Sequence, residues 1–402
     1  MKIGVITAGN LPSQWAHSIN TVKHANGFYN LNNRVEILAI QNLSDLKRRV
    51  GIRDIHDFYD IDRKVKIHFF NENFFKFFQE YKFLNYPLSH ISEKLSFLQI
   101  FENPEDKISK YCSKNKFNLV YSRSYKGAFA CIKNKIPTIL ETHTTLVNNP
   151  HLKRVIKVSD DKYFKGIVTI HKLLAENFFK NGVPNEKMLI LEDAVDIEKF
   201  NNIKANKEKL RRYLKLPLDK NIITYCGSLN PGKGIKMLIR VSKKFNQNTL
   251  FYIIGGEKKW LNYWRNKVKL EKITNVKFIG FVLNKLVPLY LKSSDVLIML
   301  YDLEEKNAIM DINTTSPIKL FEYMAAKRPI VTIKLPTIEK IVRHNQEALL
   351  SEWDNVEEIA ENIQKLLNNH LLVNQISQNA YKKAKNHTYI KRCKRILEKF
   401  GS

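Results

Sequence analysis

What most limits the fold of this chain is a repeated succession of short apolar run, polar turn and helix-like stretch. KIGVITAG opens the chain and is followed by the turn and helix pattern GNLPSQWAHSINTVKHANGF. RVEILAI (34–40), NLVYSRS (118–124), TILETHTT (138–145) and the run in KGIVTIHKLL repeat the theme. It starts again with NIITYCGSL (221–229), TLFYIIGG (249–256), NVKFIGFV (275–282), DVLIMLY (295–301) and finally IVTI (330–333). Strands alternating with helices in this way predict an α/β chain with two doubly wound, mostly parallel sheets, one in each half. The charged stretch Asn201 to Asp219, with its late Pro217, reads as the linker and entry helix of the second half. Residues from Val356 to Phe400 read as helical and strongly basic.

Composition sets further bounds. A chain of 402 residues is long enough for two domains with separate cores. Hydrophobic and charged fractions of 44% and 26% are those of a soluble globular protein. The opening residues lack the long apolar segment of a signal peptide, and no apolar run approaches a bilayer span. Cys112, Cys131, Cys226 and Cys393 are scattered without a CxxC pair, which predicts reduced thiols in a cytoplasmic compartment rather than a disulfide or zinc framework. The net charge of +28 suits an anionic partner, such as a phosphate-rich substrate or anionic lipid headgroups. The joint abundance of Lys, Asn, Ile and Phe is equally what coding biased toward A and T produces. Nucleic acid has only the charge in its favour, because no homeodomain, zinc-finger or RNP-type signature is present.

Several residues carry possible chemistry. The loop Gly9 to Ser13 follows the first strand, at the end where α/β sheets bind ligands. Asp60-Ile61-Asp62 has the form of a DxD metal motif, but it precedes the alternating run KVKIHFF and reads as a solvated turn. Phe74, Phe75, Phe77, Phe78 and Tyr81, interleaved with Lys, form either a helix packed on the sheet or a surface for a membrane interface. His143 stands just past a strand, beside Glu141, Thr142 and Thr144. From position alone it reads as structural, although a His there is well placed to meet a substrate hydroxyl or move a proton.

Two stretches in the second half stand out. Gly227-Ser-Leu-Asn-Pro-Gly232-Lys233-Gly234 follows a strand and opens a helix, with the spacing of a P-loop. Gly234 stands where a Ser or Thr would ligate magnesium, Pro231 removes an N–H from the cradle, and only Asp302 offers a later acidic strand end. What survives is a lysine at a helix N-terminus, suited to neutralising a diphosphate. The second stretch is Asn313 to Val331, NTTSPIKLFEYMAAKRPIV. Thr315 and Ser316 predict an N-cap, Pro317 a first helical turn, Ile318 to Lys327 a helix, and Arg328-Pro329 its stop. Such a helix start favours an anion. Glu322, between Phe321 and Tyr323, should be paired if it is buried; taken alone it reads equally as a surface residue.

YCGSLNPGKGIKMLI, IIGG, VKFIGFV, SSDVLIMLY and SPIKLFEYMAAKRPIV, in that order, resemble the C-terminal half of a GT-B glycosyltransferase of family 4. The Gly9 loop with PSQWAHSIN, ETH after its strand, and VTIHKLLAENFFKNGVPNEKMLILEDAVDIEKF resemble the N-terminal half. The resemblance implies two Rossmann-like domains facing a cleft: residues 1–200 on the acceptor side and 201–385 on the nucleotide-sugar side. It further implies a C-terminal helix, 386–402, packing back on the first domain.

It also implies roles. Lys233 holds the diphosphate of a nucleotide-sugar donor, and Glu322 the ribose hydroxyls. Ser316, Pro317, Ile318, Lys319 and Leu320 offer N–H groups to phosphate, and Phe281 and Val282 lie near the base. His143 touches the transferred sugar, while Gly9 and Asn10 close over the diphosphate. Retention of anomeric configuration, no metal for phosphate binding, and a glycan or lipid-linked acceptor complete the expectation. The setting is polysaccharide or glycoconjugate synthesis by a cytoplasmic protein; separately from the resemblance, the basic, aromatic N-terminal surface suits peripheral attachment to an anionic inner membrane face.

Three positions depart from the pattern: Thr314 replaces the first Glu of an E-x7-E motif, with Asp311 as a possible substitute; Ser228 replaces the usual Arg; and Asp193-Ala194-Val195-Asp196 replaces Asn-Gly-Val-Asp. The rival readings are a nucleotide-sugar epimerase of the same fold, a magnesium-dependent nucleotide hydrolase, and a basic nucleotide- or nucleic-acid-binding protein without transferase activity.

Overall fold

The computed structural model describes residues 1–9, 11–13, 15–41, 54–71, 103–145, 149–304 and 317–401. Asn10, Asp311, Thr314, Ser316 and the Phe74–Tyr81 aromatics lie outside them. The chain divides into two compact units, Met1–Leu191 with Tyr389–Ser402, and Glu192–Thr388.

The first unit is built on a seven-stranded sheet of β1 (Lys2–Ile6), β2 (Arg34–Gln41), β3 (Lys66–Asn71), β4 (Leu119–Ser122), β5 (Thr138–Glu141), β6 (Phe164–Thr169) and β7 (Met188–Ile190), in the order β3-β2-β1-β4-β5-β6-β7. Every pairing is parallel. Strands buried on both faces need apolar side chains throughout, which is why β4 and β5 are buried at every position. The second unit repeats the plan with β8 (Asn221–Cys226), β9 (Thr249–Ile254), β10 (Val276–Gly280), β11 (Val296–Met299), β12 (Ile330–Ile333) and β13 (Leu349–Ser351), ordered β10-β9-β8-β11-β12-β13 and again all parallel. In each sheet the first strand has a later strand on either side, β2 and β4 beside β1, β9 and β11 beside β8. Loops leaving the carboxyl ends of those neighbours run to opposite faces and open a crevice there, the usual ligand position in open α/β sheets.

The stretch expected as the linker and entry helix of the second half does hold a helix, and it is part of the second unit's body. Within it the helix Lys207–Leu214 carries Arg211, which is buried and donates to Ser293 O at 2.9 Å, Lys220 O at 2.9 Å and Asp295 Oδ2 at 2.5 Å. Asp295 Oδ2 also accepts the Ile222 N–H at 2.7 Å, so one buried ion pair fastens the helix to the start of β8. The Asp193–Asp196 turn is anchored where the chain comes back, with Val195 N donating to His387 O at 2.8 Å.

The last helix, Tyr389–Phe400, packs within the first unit. Tyr389, Cys393, Ile396 and Phe400 give it an apolar stripe, and Arg392 lies on the same buried face. Two glycines make its seat. A Cβ on Gly27, in the helix Ala16–Tyr29, would stand 2.8 Å from Cys393 Sγ and 3.1 Å from Tyr389 O. One on Gly166 in β6 would stand 2.5 Å from the Phe400 ring. The Asp60-Ile61-Asp62 segment is the turn the sequence predicts: Asp60 is left-handed at φ 52°, and Asp62 Oδ1 accepts the Lys64 N–H at 2.8 Å. Among the described residues no helix is long and apolar enough to cross a membrane.

Because the crossing at Gly27 leaves no room for branching, Gly27→Val is expected to destabilise the first unit by about 1–3 kcal/mol, the usual range for overpacking. Urea unfolding followed by circular dichroism reads it; stability equal to wild type would mean that the two helices do not cross so closely.

Candidate active site

In the second unit the candidate residues gather at the carboxyl ends of β8 and β11. Gly227 N donates to Ile254 O at 2.9 Å and Gly255 N to Gly280 O at 2.7 Å, so the strand ends are laced together. Lys319 lies across Gly227: a Cβ there would stand 2.7 Å from Lys319 Cδ and would push the lysine side chain aside. Gly234 turns the chain into the helix Ile235–Ser242 at φ 79°, with its Cα against the Leu300 carbonyl. The Trp264 indole donates to Leu229 O at 2.8 Å and fixes the middle of the loop.

Asp302 settles the P-loop comparison. Its buried carboxylate accepts the Met237 N–H at 3.1 Å, and its own N–H donates to Gly232 O at 3.2 Å. Burial raises its pKa, while the amides of Met237, Lys236 and Gly234 oppose the shift. The carboxylate thus occupies the amides that a P-loop would present to phosphate. Asp302 therefore acts as a cap for the helix Ile235–Ser242.

Lys233 and Lys319 converge instead. Lys319 Nζ donates to Tyr225 Oη at 2.9 Å, and that hydroxyl donates to Ser228 O at 2.6 Å. Both ammonium groups approach the Tyr301 ring, Lys233 at 6.0 Å and Lys319 at 5.8 Å from its centroid. Two like charges held together in a partly dry place disfavour each other. Burial first, and then Lys233, pull the Lys319 ammonium down to about 7. Glu322, one turn further along the same helix and half-buried, favours the charged form.

The helix runs Ile318–Ala325, with Pro317 itself at the N-cap position and Lys327 left-handed at φ 55°. It therefore begins at Ile318, as the sequence predicts, but with Pro317 rather than Thr315 or Ser316 at the N-cap position, and it ends two residues sooner, on a left-handed turn ahead of Arg328-Pro329. Pro317 and Leu320 are buried, and Ile318 is half-buried. Tyr323 seats the helix: its hydroxyl accepts the Cys226 N–H at 2.8 Å and donates to Ile298 O at 3.3 Å. Ser228 is exposed at the loop's start, and Phe281 and Val282 follow the end of β10, Phe281 being 38% exposed.

In the first unit the polar residues stand at the ends of β1, β4 and β5. Gly9 is pressed against the imidazole of His17, and Thr7 Oγ1 donates to Gly9 O at 2.8 Å. Burial, followed by the charge of Arg123, lowers the pKa of His17. Glu141 closes β5 fully buried, and one of its oxygens, Oε1, receives His143 Nε2 at 2.7 Å, Arg392 Nη2 at 3.1 Å and Arg123 Nη1 at 3.4 Å. His143 is thus bound to its neighbour Glu141 and is mostly buried, with 20% of its side chain exposed.

Sequence reading passed over His17, Arg123, Arg392 and the Lys319–Tyr225 pair. A signal existed for Arg392: it occupies an apolar-stripe position, three residues from Tyr389 and four from Ile396. Glu141 gave the same kind of signal, as a carboxylate inside a four-residue strand buried throughout.

Replacing Lys233 with Met removes the like charge and is expected to raise the Lys319 midpoint above its value near 7. Side-chain ¹³C NMR of labelled lysines measures it; a midpoint that stays or falls would separate the two ammonium groups.

Residues 206–383 match the family Glycosyl transferases group 1. An uncharacterized glycosyltransferase of Methanocaldococcus jannaschii, MJ1607, is 24% identical over 208 residues, covering 50% of this chain and 51% of that protein. The putative teichuronic acid biosynthesis glycosyltransferase TuaH of Bacillus subtilis is 27% identical over 156 residues, 39% of this chain and 36% of that protein. The matched stretches therefore span about half, or less, of those relatives' length. Across its whole length the chain is similar in structure to Anabaena Alr3699/HepE, solved in complex with UDP and glucose, with a TM-score of 0.70, 16% identity and 100% of both chains covered. The chain has the GT-B fold of glycosyltransferases, and most of its second unit matches the model of the Glycosyl transferases group 1 family.

Proposed function

We propose that this protein is a retaining glycosyltransferase moving a sugar from a nucleoside-diphosphate sugar to a glycan or lipid-linked acceptor in polysaccharide or glycoconjugate synthesis. The observation that carries the reading is the convergence of Lys233 and Lys319 beside Glu322 at the β8–β11 crevice. Two ammonium groups that repel one another in a partly dry site gain most from a ligand that brings two or more negative charges, and a diphosphate does so. The likeness to a protein solved with UDP and glucose, and to one of teichuronic acid biosynthesis, supports the same chemistry.

In this reading the lysines stabilise the charge that grows on the departing diphosphate, without requiring a metal ion. The start of the helix Ile318–Ala325 adds the positive end of its dipole, with Ser316 and Pro317 preceding it. Glu322 accepts the ribose hydroxyls, Phe281 and Val282 border the base, and Gly9 and Asn10 approach the diphosphate. His143 faces the transferred sugar. Because a bound diphosphate restores the charge on Lys319, donor binding takes up a proton near pH 7 to 8, and affinity falls as pH rises above 7.

A thermal-shift panel of UDP, GDP, ADP, CMP and their sugar conjugates, with and without EDTA, tests the reading by mass action. One nucleoside diphosphate is expected to raise the melting point in EDTA, and Lys233→Ala to weaken it by about 1.5–3 kcal/mol, the worth of one charge-assisted contact. Silence across the panel, or a shift for ATP only with magnesium, would overturn it. Product NMR then reads the anomer, and release of an epimerised sugar without transfer would favour an epimerase.

A further inference from the structure

We propose that Arg392, on the returning C-terminal helix, is a positioning residue for His143: acting through Glu141, it holds the imidazole with its proton on Nε2 and its lone pair on Nδ1, and keeps the ring neutral. The inference rests on the reading that His143 faces the transferred sugar.

The geometry is a shared acceptor. Glu141 Oε1 takes the His143 Nε2 at 2.7 Å and the Arg392 Nη2 at 3.1 Å, and both Glu141 and Arg392 are buried, with 1% and 4% exposure. A carboxylate accepting at Nε2 assigns the neutral ring's proton to that nitrogen. Its lone pair is then on Nδ1.

A carboxylate alone would also favour the imidazolium, which offers no lone pair. The surrounding charges decide against that. From the turn after β4, Arg123 reaches the same oxygen at 3.4 Å, and from the C-terminal helix Arg392 does so at 3.1 Å, so two guanidinium groups face one carboxylate. His24, on the helix Ala16–Tyr29, has its Nε2 3.7 Å from Glu141 Oε2, yet contributes no charge. Its Nδ1 bonds Asn20 O at 2.7 Å, its ring stacks on Tyr121 and meets Tyr389 edge-on, and burial lowers its pKa to about 3. His17 is held toward neutrality by burial and by Arg123. Cys393, whose Sγ donates to His24 O at 3.5 Å, is kept a neutral thiol by burial. Removing Arg392 leaves Glu141 facing His143 with one guanidinium fewer, which stabilises the imidazolium.

The test is an NMR pH titration of histidine-labelled protein, with His143→Gln assigning the resonance. Wild type is expected to show ¹⁵N shifts of the Nε2–H tautomer; the opposite tautomer would overturn the proposal without any variant. In Arg392→Gln the His143 midpoint is expected to rise by about one unit, the order expected from deleting one nearby charge, and Arg392→Lys to restore it. A folded Arg392→Gln protein with an unmoved midpoint would overturn it, since a merely structural ion pair changes stability and not this titration. Should Arg392→Gln fail to fold, the same titration of Arg392→Met decides, a raised His143 midpoint supporting the proposal and an unmoved one overturning it. The acid limb of turnover is expected to follow the midpoint. A shifted midpoint in a protein that transfers no sugar would sink the proposed function and leave the Arg392–Glu141–His143 linkage standing; transfer with an unmoved midpoint would do the reverse.

Discussion

Parallel strands covered on both faces leave polar chemistry few places to go. Within β1, β4, β8 and β11 nearly every side chain is buried and apolar, so ionisable groups collect where the strands end and the loops diverge. Glu141 shows the limit of that rule. It is still inside β5, and the fold tolerates its buried charge by giving it donors from three separate segments, the turn after β4, the turn after β5 and the C-terminal helix. Leaving such a carboxylate unpaired would cost several kcal/mol by the usual desolvation argument, so those segments are tied to one another as much as to the acid.

This explains why the C-terminal helix sits where it does. Its apolar stripe would pack against many surfaces, but Arg392 can be buried only next to a carboxylate, and Glu141 provides one. Gly27 and Gly166 remove the side chains that would hold the helix away. Hydrophobic burial supplies most of the attraction, while the ion pair and the two glycines select the register.

The parallel α/β architecture was legible because it rests on local pattern: apolar runs of strand length, turn residues after them, and helical stretches between. The glycine loop that leads into the helix Ile235–Ser242 and the helix start at Ile318 were legible for the same reason, as short motifs on consecutive residues. What escaped was pairing across distance. Nothing local says that Asp302, which follows β11, caps the helix after β8, or that Lys319 reaches back over Gly227 to the Tyr225 hydroxyl. Glu141 and Arg392 are 251 residues apart and meet only through the chain's return to its first unit. Each nonetheless left a trace as a charged residue in an apolar position.

The Lys319 contact bears on the sequence's departure at Ser228. Where an arginine would stand, the chain offers a short hydroxyl, and Lys233 lacks a neighbour on its own loop. Lys319 supplies that neighbour from another helix, crossing Gly227 and ending on the hydroxyl that also bonds Ser228 O. The two cations are not equivalent. A guanidinium keeps its charge at any working pH, whereas an ammonium held near 7 by burial and by Lys233 is half-charged until an anion arrives. Under the proposed function, a serine at this position with Lys319 beside Lys233 exchanges a permanent charge for one that the bound diphosphate would complete, and the half-buried Glu322 on the same helix favours the charged form of the ammonium.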